Sequence, residues 1–135
     1  YVYTTAMPAP LAIGTRVAVE LVQTESWRRE RLGRLVARLR DGLRHIGLPP
    51  GPGSTPIQPV VLGSAQAASK VAAGLYENGL LVPAIRPPTV PEGTARLRIT
   101  LSARHTDAQV DRLIETLQQV MRELPDDTVP LPLTN

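Results

Sequence analysis

Two arginines stand where their type and spacing could do chemistry. Arg86 precedes Pro87 and Pro88, and a residue before proline is pushed into extended conformations, so its guanidinium rides on a stiff loop from Arg86 to Thr94. Arg98 lies in the stretch Ala95 to Ser102, where Leu97, Ile99 and Leu101 alternate with Arg96, Arg98 and Thr100. A planar guanidinium gives two parallel hydrogen bonds to a carboxylate, and holding it in place beforehand removes part of the ordering cost of binding. The competing reading is a solvated sheet face bearing Arg96 and Arg98. By spacing alone that reading is favoured, because such alternation is common in antiparallel sheets.

Other candidates are thinner. Thr4 and Thr5 precede a helix start marked by Pro8 and Pro10; hydroxyls and backbone N–H groups there suit an anion, or they simply end a strand. Lys70, the sole lysine, lies in an Ala-rich helix four residues before Gly74 and reads as solvated surface. His105 falls at a strand-to-helix junction, and His45 is the only other histidine. Cysteine is absent, which excludes disulfides, thiolate catalysis and cysteine-bound metal, and no carboxylate pattern completes a zinc site.

The elements that must carry these residues follow from periodicity. Leu11 to Thr24 reads helical. Trp27, Leu32, Leu35, Val36, Leu39, Leu43 and Ile46 recur at three- and four-residue steps, predicting a second helix with Ser26 as its N-cap. Arginines 28, 29, 31, 34, 38, 40 and 44 make its other face. Glu30 and Asp41 interrupt that face and no aromatic is interleaved, which points to solvated surface partly paired with acids rather than to nucleic acid.

Gly47 to Ser54, rich in Gly and Pro, is a connection. Beyond it come a strand from Ile57 to Gly63, a helix capped by Ser64 and ended by Gly79, a strand from Leu80 to Ile85, the strand from Ala95, and a last helix. Thr106 with Gln109 forms a capping box for that helix, and Val110, Leu113, Ile114, Leu117 and Met121 form its stripe. Tyr1-Val2-Tyr3-Thr4 reads like the middle of a strand, so the chain is expected to be a piece of something longer.

The 135 residues fit one core; 42% are hydrophobic and 20% charged, as in soluble globular domains. Aromatics are only 3%, which excludes stacking platforms for single-stranded nucleic acid, and the net charge of +3 is too small to argue for a polyanion partner. No apolar run approaches a membrane span of about 20 residues.

The run Ala84-Ile85-Arg86-Pro87-Pro88-Thr89-Val90-Pro91-Glu92-Gly93-Thr94-Ala95-Arg96-Leu97-Arg98-Ile99-Thr100 resembles the C-terminal motif of the α-oxoamine synthases. These are pyridoxal-phosphate enzymes that condense an amino acid with an acyl thioester. Tyr3-Thr4-Thr5-Ala6-Met7-Pro8 resembles the segment after their cofactor lysine, and the order of elements agrees up to about Leu124.

The resemblance implies an α+β fold: the C-terminal small domain of a fold-type I enzyme, with a short, mostly antiparallel sheet and helices on one face. Residues 1–24 would end the large domain, 25–124 would form the small domain, and 125–135 would be an extended tail. It implies pyridoxal phosphate as cofactor, bound mainly by a part preceding Tyr1, so that this chain holds no catalytic lysine and is inactive alone. Arg98 then matches the arginine that binds the amino-acid carboxylate and Arg86 one near the acyl substrate. Thr4 and Thr5 match hydroxyls that reach the cofactor phosphate of the other subunit in a homodimer.

The Arg-Pro-Pro form most resembles the branch that condenses L-alanine with a pimeloyl thioester, on coenzyme A or a carrier protein, in cytoplasmic biotin synthesis. The rivals are a glycine-using relative or, since the order from Ile57 resembles half of a ferredoxin-like module, a carboxylate-binding regulatory domain.

Overall fold

The computed structural model describes residues 2–3 and 5–124. Four helices and three strands follow in the order α1 (Ala9–Thr24), α2 (Ser26–His45), β1 (Ile57–Gly63), α3 (Ala65–Glu77), β2 (Ala84–Ile85), β3 (Ala95–Thr100) and α4 (Asp107–Arg122). The sheet is antiparallel throughout, in the order β1-β3-β2. β3 is therefore central, and its alternation is the organising pattern of the domain.

On one face Val60 and Leu62 of β1 join Ala95, Leu97 and Ile99 of β3, all buried. Against them pack Leu35, Val36, Leu39 and Leu43 of α2, Ala67, Ala68, Val71 and Leu75 of α3, and Val110, Leu113, Leu117 and Val120 of α4. Each fully buried leucine contributes on the order of 2 kcal/mol through the apolar surface it removes from water. Two glycines let α4 lie close against its neighbouring helices. A Cβ at Gly42 of α2 would overlap Ile114, and one at Gly74 of α3 would stand 2.8 Å from Val120 Cγ1.

The local signals for the later elements are realised. Ser64 Oγ accepts from the Ala67 N–H, Thr106 and Gln109 close a reciprocal capping box, and Gly79 takes φ 75° beyond α3. Other readings change. α2 is preceded by Glu25 at its cap, with Ser26 already helical and bonded to Glu30. Trp27 stays half exposed, its indole N–H on Glu25 and the Arg28 guanidinium over its ring, so the stripe of α2 begins at Leu32.

The strand expected from Leu80 shrinks to Ala84–Ile85. Pro83 has no N–H to give the ladder, although its carbonyl still accepts from the Arg98 N–H. The expected opening strand is not formed at Val2 and Tyr3, which sit in a turn; Tyr1 and Thr4 lie outside the described residues.

Arg40 also departs from the solvated arginine face. Its Nη1 donates to the carbonyls of Gly51 and Gly53 and to Gln58 Oε1 at 2.9 Å, while Gln58 Nε2 donates to the Thr55 carbonyl at 2.7 Å. Gln58 is fully buried on the core face of β1. A buried amide without partners costs about 1–3 kcal/mol, so this arginine satisfies the core and ties down the Gly-Pro connection together.

Candidate functional site

The alternation of β3 that buries Leu97 and Ile99 turns Arg96, Arg98 and Thr100 to the opposite face of the sheet. Register places Pro59 beside Arg98, Val61 and Ile85 beside Arg96, and Ile57 beside Thr100. This face carries none of the helices of the core. Ile57 is 51% exposed on it, and Arg98 is exposed at its centre.

Among the described residues Arg98 has no side-chain hydrogen bond or ion pair, so all five of its donors are open to a ligand. Arg96 is different: it is half-buried, and its Nε donates to the Thr94 carbonyl at 2.9 Å. That bond ties the Arg96 guanidinium back to the entrance of its own strand.

Arg86 follows the last residue of β2 and reaches the other way. Its Nη1 donates to Ser69 Oγ of α3 at 3.2 Å, and Ser69 in turn donates to the Ala65 carbonyl. The Pro87–Pro88 peptide that follows is cis. The two arginines thus serve opposite sides of the sheet, Arg98 the open face and Arg86 the helical side at the end of β2. They could hold two anionic groups set apart from one another, but not the same carboxylate.

Thr5 is exposed in the extended segment leading to α1, whose first turn is closed by Leu11 and Ala12 N–H groups on the Pro8 carbonyl. Thr4 lies outside the described residues. Lys70 is exposed on α3, as the solvated reading has it. His105 is half-buried, its Nδ1 accepting from the Ser102 N–H at 3.0 Å, which puts the proton of the neutral ring on Nε2. Among the described residues no group of three or more His, Cys, Asp or Glu could hold a metal ion, and no helix is long and apolar enough to cross a membrane.

The arginine face of α2, which sequence periodicity treats as one surface, divides by function. Arg28 pairs with Glu25, Arg44 with Asp41, and Arg38 grips both oxygens of Asp111 on α4 at 2.6 and 2.7 Å. The Arg38 hydrogen bonds hold the Asp111 carboxyl below its usual range, and Arg28 does the same for Glu25. Arg31 donates to the carbonyls of Ala103 and His105, pinning the turn before α4. The acceptors lie some seventy positions away, which is why periodicity alone misses them.

Comparison with known proteins gives a consistent answer. Residues 1–117 match the family described as aminotransferase class I and II. An 8-amino-7-oxononanoate synthase of Thioalkalivibrio sulfidiphilus is 59% identical over 126 residues, 93% of this chain and 32% of that protein. One of the same name from Stutzerimonas stutzeri is 53% identical over 94% of this chain and 32% of its own. The chain thus spans about a third of the length of the curated relatives it matches.

Among solved structures, a Sphingomonas wittichii serine palmitoyltransferase superposes with a TM-score of 0.82 at 28% identity, over 95% of this chain and 32% of that one. A Francisella tularensis 8-amino-7-oxononanoate synthase gives 0.76 at 23% identity, over 89% and 35%, and shares the fold. The three-stranded antiparallel sheet with helices on one face is therefore the α+β unit of a fold-type I enzyme. By its matched length and its Arg-Pro-Pro to Arg98 motif, the chain belongs to the aminotransferase class I and II family and, within it, to the α-oxoamine synthases.

Proposed function

We propose that this chain is part of an 8-amino-7-oxononanoate synthase, which joins L-alanine to a pimeloyl thioester with loss of carbon dioxide. The observation that carries the reading is identity of 59% and 53%, over more than nine-tenths of the chain, to relatives bearing that one name. The open arginine of β3 supports it, because an amino-acid substrate presents a carboxylate. In this reading Arg98 grips the alanine carboxylate with two prongs and fixes the molecule about its α-carbon until that carboxylate departs as carbon dioxide. Arg86, on the other side of the sheet, receives the far carboxylate of the pimeloyl chain. A long dicarboxylate has its distal charge several carbons from the reacting thioester, so separated clamps suit it.

Pyridoxal phosphate, when bound, supplies an electron sink for the amino acid's α-carbon. The residues here fit only its phosphate end. Thr5, exposed and hydroxyl-bearing, would donate to the phosphate of a second copy in a homodimer, with Thr4 beside it in sequence. Lys70 does not fit the role of cofactor lysine, being exposed on α3 among the helices. In this reading that lysine belongs to the remaining two-thirds of the complete protein.

The test is a substrate panel on the complete protein with pyridoxal phosphate. Alanine with a pimeloyl thioester should release carbon dioxide and thiol in equal amounts, at least about tenfold faster than glycine or serine, a difference of about 1.4 kcal/mol in the barrier. Preference for glycine, or no turnover with any pair, would overturn the assignment.

A further inference from the structure

The arginine face of α2 contains a cleft of about 280 Å³ lined by Arg31, Arg34, Arg38 and Asp107. The three arginines are spaced three and four residues apart, so they stack along one side of the helix, roughly one turn from each to the next. Their internal bonds leave a particular pattern of donors. Arg31 spends Nε and Nη2 on the carbonyls of Ala103 and His105, both at 2.9 Å. Arg38 spends the same two nitrogens on Asp111.

Each of these guanidiniums is therefore anchored by one edge, with Nη1 left over. The Nη1 of Arg38 makes only a long ion pair, 4.0 Å from Asp107 Oδ2, which an incoming anion would have to share. Arg34, between them, has no hydrogen bond or ion pair among the described residues. The charges in and against the cleft are three arginines with Asp107 and Asp111, a net excess of one positive charge.

We propose that this cleft is a binding site for a phosphate group. Anchoring two of the guanidiniums removes much of the entropy cost of ordering them, leaving Arg34 as the one clamp that must be immobilised. Three separate donors call for an acceptor with at least three oxygens in a compact tetrahedron. A carboxylate has two; a phosphate ester or inorganic phosphate has enough. The cleft lies on the helical side of the sheet, opposite the face that carries Arg98. The phosphate could be free or carried on a nucleotide.

Calorimetric titration decides the matter. The complete protein is first saturated with pyridoxal phosphate, so that any site for the cofactor's own phosphate is filled, and is then titrated with inorganic phosphate and, separately, with adenosine 3′,5′-bisphosphate. Saturable one-to-one binding is expected, weakening as sodium chloride is raised. Arg34→Gln, which breaks no internal bond, should reduce the affinity at least about tenfold, as expected for a charge-assisted contact. Arg44→Gln on the same helix, outside the cleft, should leave it unchanged. Bisphosphate binding more than about tenfold tighter than phosphate would assign a nucleotide-borne group; equal affinities would assign the free ion; either supports the site. Absence of saturable binding up to about 10 mM, equal affinity in Arg34→Gln, or loss in Arg98→Gln instead would overturn it.

Discussion

Among the described residues Arg98 makes no side-chain bond inside the fold, unlike Arg96 on the same face of the same strand. Arg31, Arg38, Arg40, Arg86 and Arg96 each bond to a backbone or side-chain acceptor, whereas Arg98 stands open on a sheet face with Pro59 as its strand neighbour. A free guanidinium on a rigid central strand is what two-pronged carboxylate recognition requires, and lysine, a point charge, cannot reproduce it. On the function proposed above, Arg98→Lys in the complete enzyme should raise the KM for alanine at least about tenfold, equivalent to about 1.4 kcal/mol, with cofactor affinity changed less than about twofold. Steady-state kinetics beside a cofactor titration measure both. An unchanged KM would remove the arginine from the substrate site. Its position on the sheet was legible from alternation alone. That Arg40 serves Gln58 and not solvent was not, because that bond spans the Gly-Pro connection, where local spacing carries no information.

At the scale of elements, the clasp between α2 and α4 is the one most sensitive to solution conditions. Arg38 closes a two-pronged pair on Asp111, and those hydrogen bonds depress the carboxyl's pKa in the folded protein. A depressed acid stabilises the fold fully above its unfolded pKa of about 4, and that contribution is lost as pH falls through the lower folded value. Asp111→Asn should therefore lower the melting temperature at pH 7, and the gap from the parent should close as the pH is taken below about 4. Because both groups are partly exposed, molar salt should also narrow it. A gap that persisted unchanged at pH 3 would mean the loss is one of packing. Helix ends and caps here could be read from sequence because their partners lie within three or four residues. The extent of β2 could not, since Pro83 sets it by withholding an N–H from a strand fifteen positions away.

At the scale of the whole molecule, α1 is the element out of balance. Leu11, Ile13, Val17, Val19, Leu21 and Val22 are all among its exposed residues, 42 to 63% accessible, and the helix buries none. At 3.6 residues per turn these side chains spread over about 240° of the circumference, leaving a narrow polar stripe of Arg16, Glu20 and Gln23. An exposed apolar arc this wide is more than a surface helix carries, so covering it takes more protein than the small domain offers. The curated relatives are about three times as long as the matched region, and the remaining two-thirds of such a protein, with a second copy, is the cover we infer. The 135-residue chain made alone should therefore bind a hydrophobic dye and self-associate at micromolar concentration. A version beginning at Ser26 keeps every buried residue of the domain core, and by the same reasoning it should be a monomer with little dye binding. Sedimentation of the two chains side by side provides the measurement. If both sediment as monomers, α1 finds its cover within the chain itself; if both associate equally, the sticky surface is the open face of the sheet around Ile57 and not the helix.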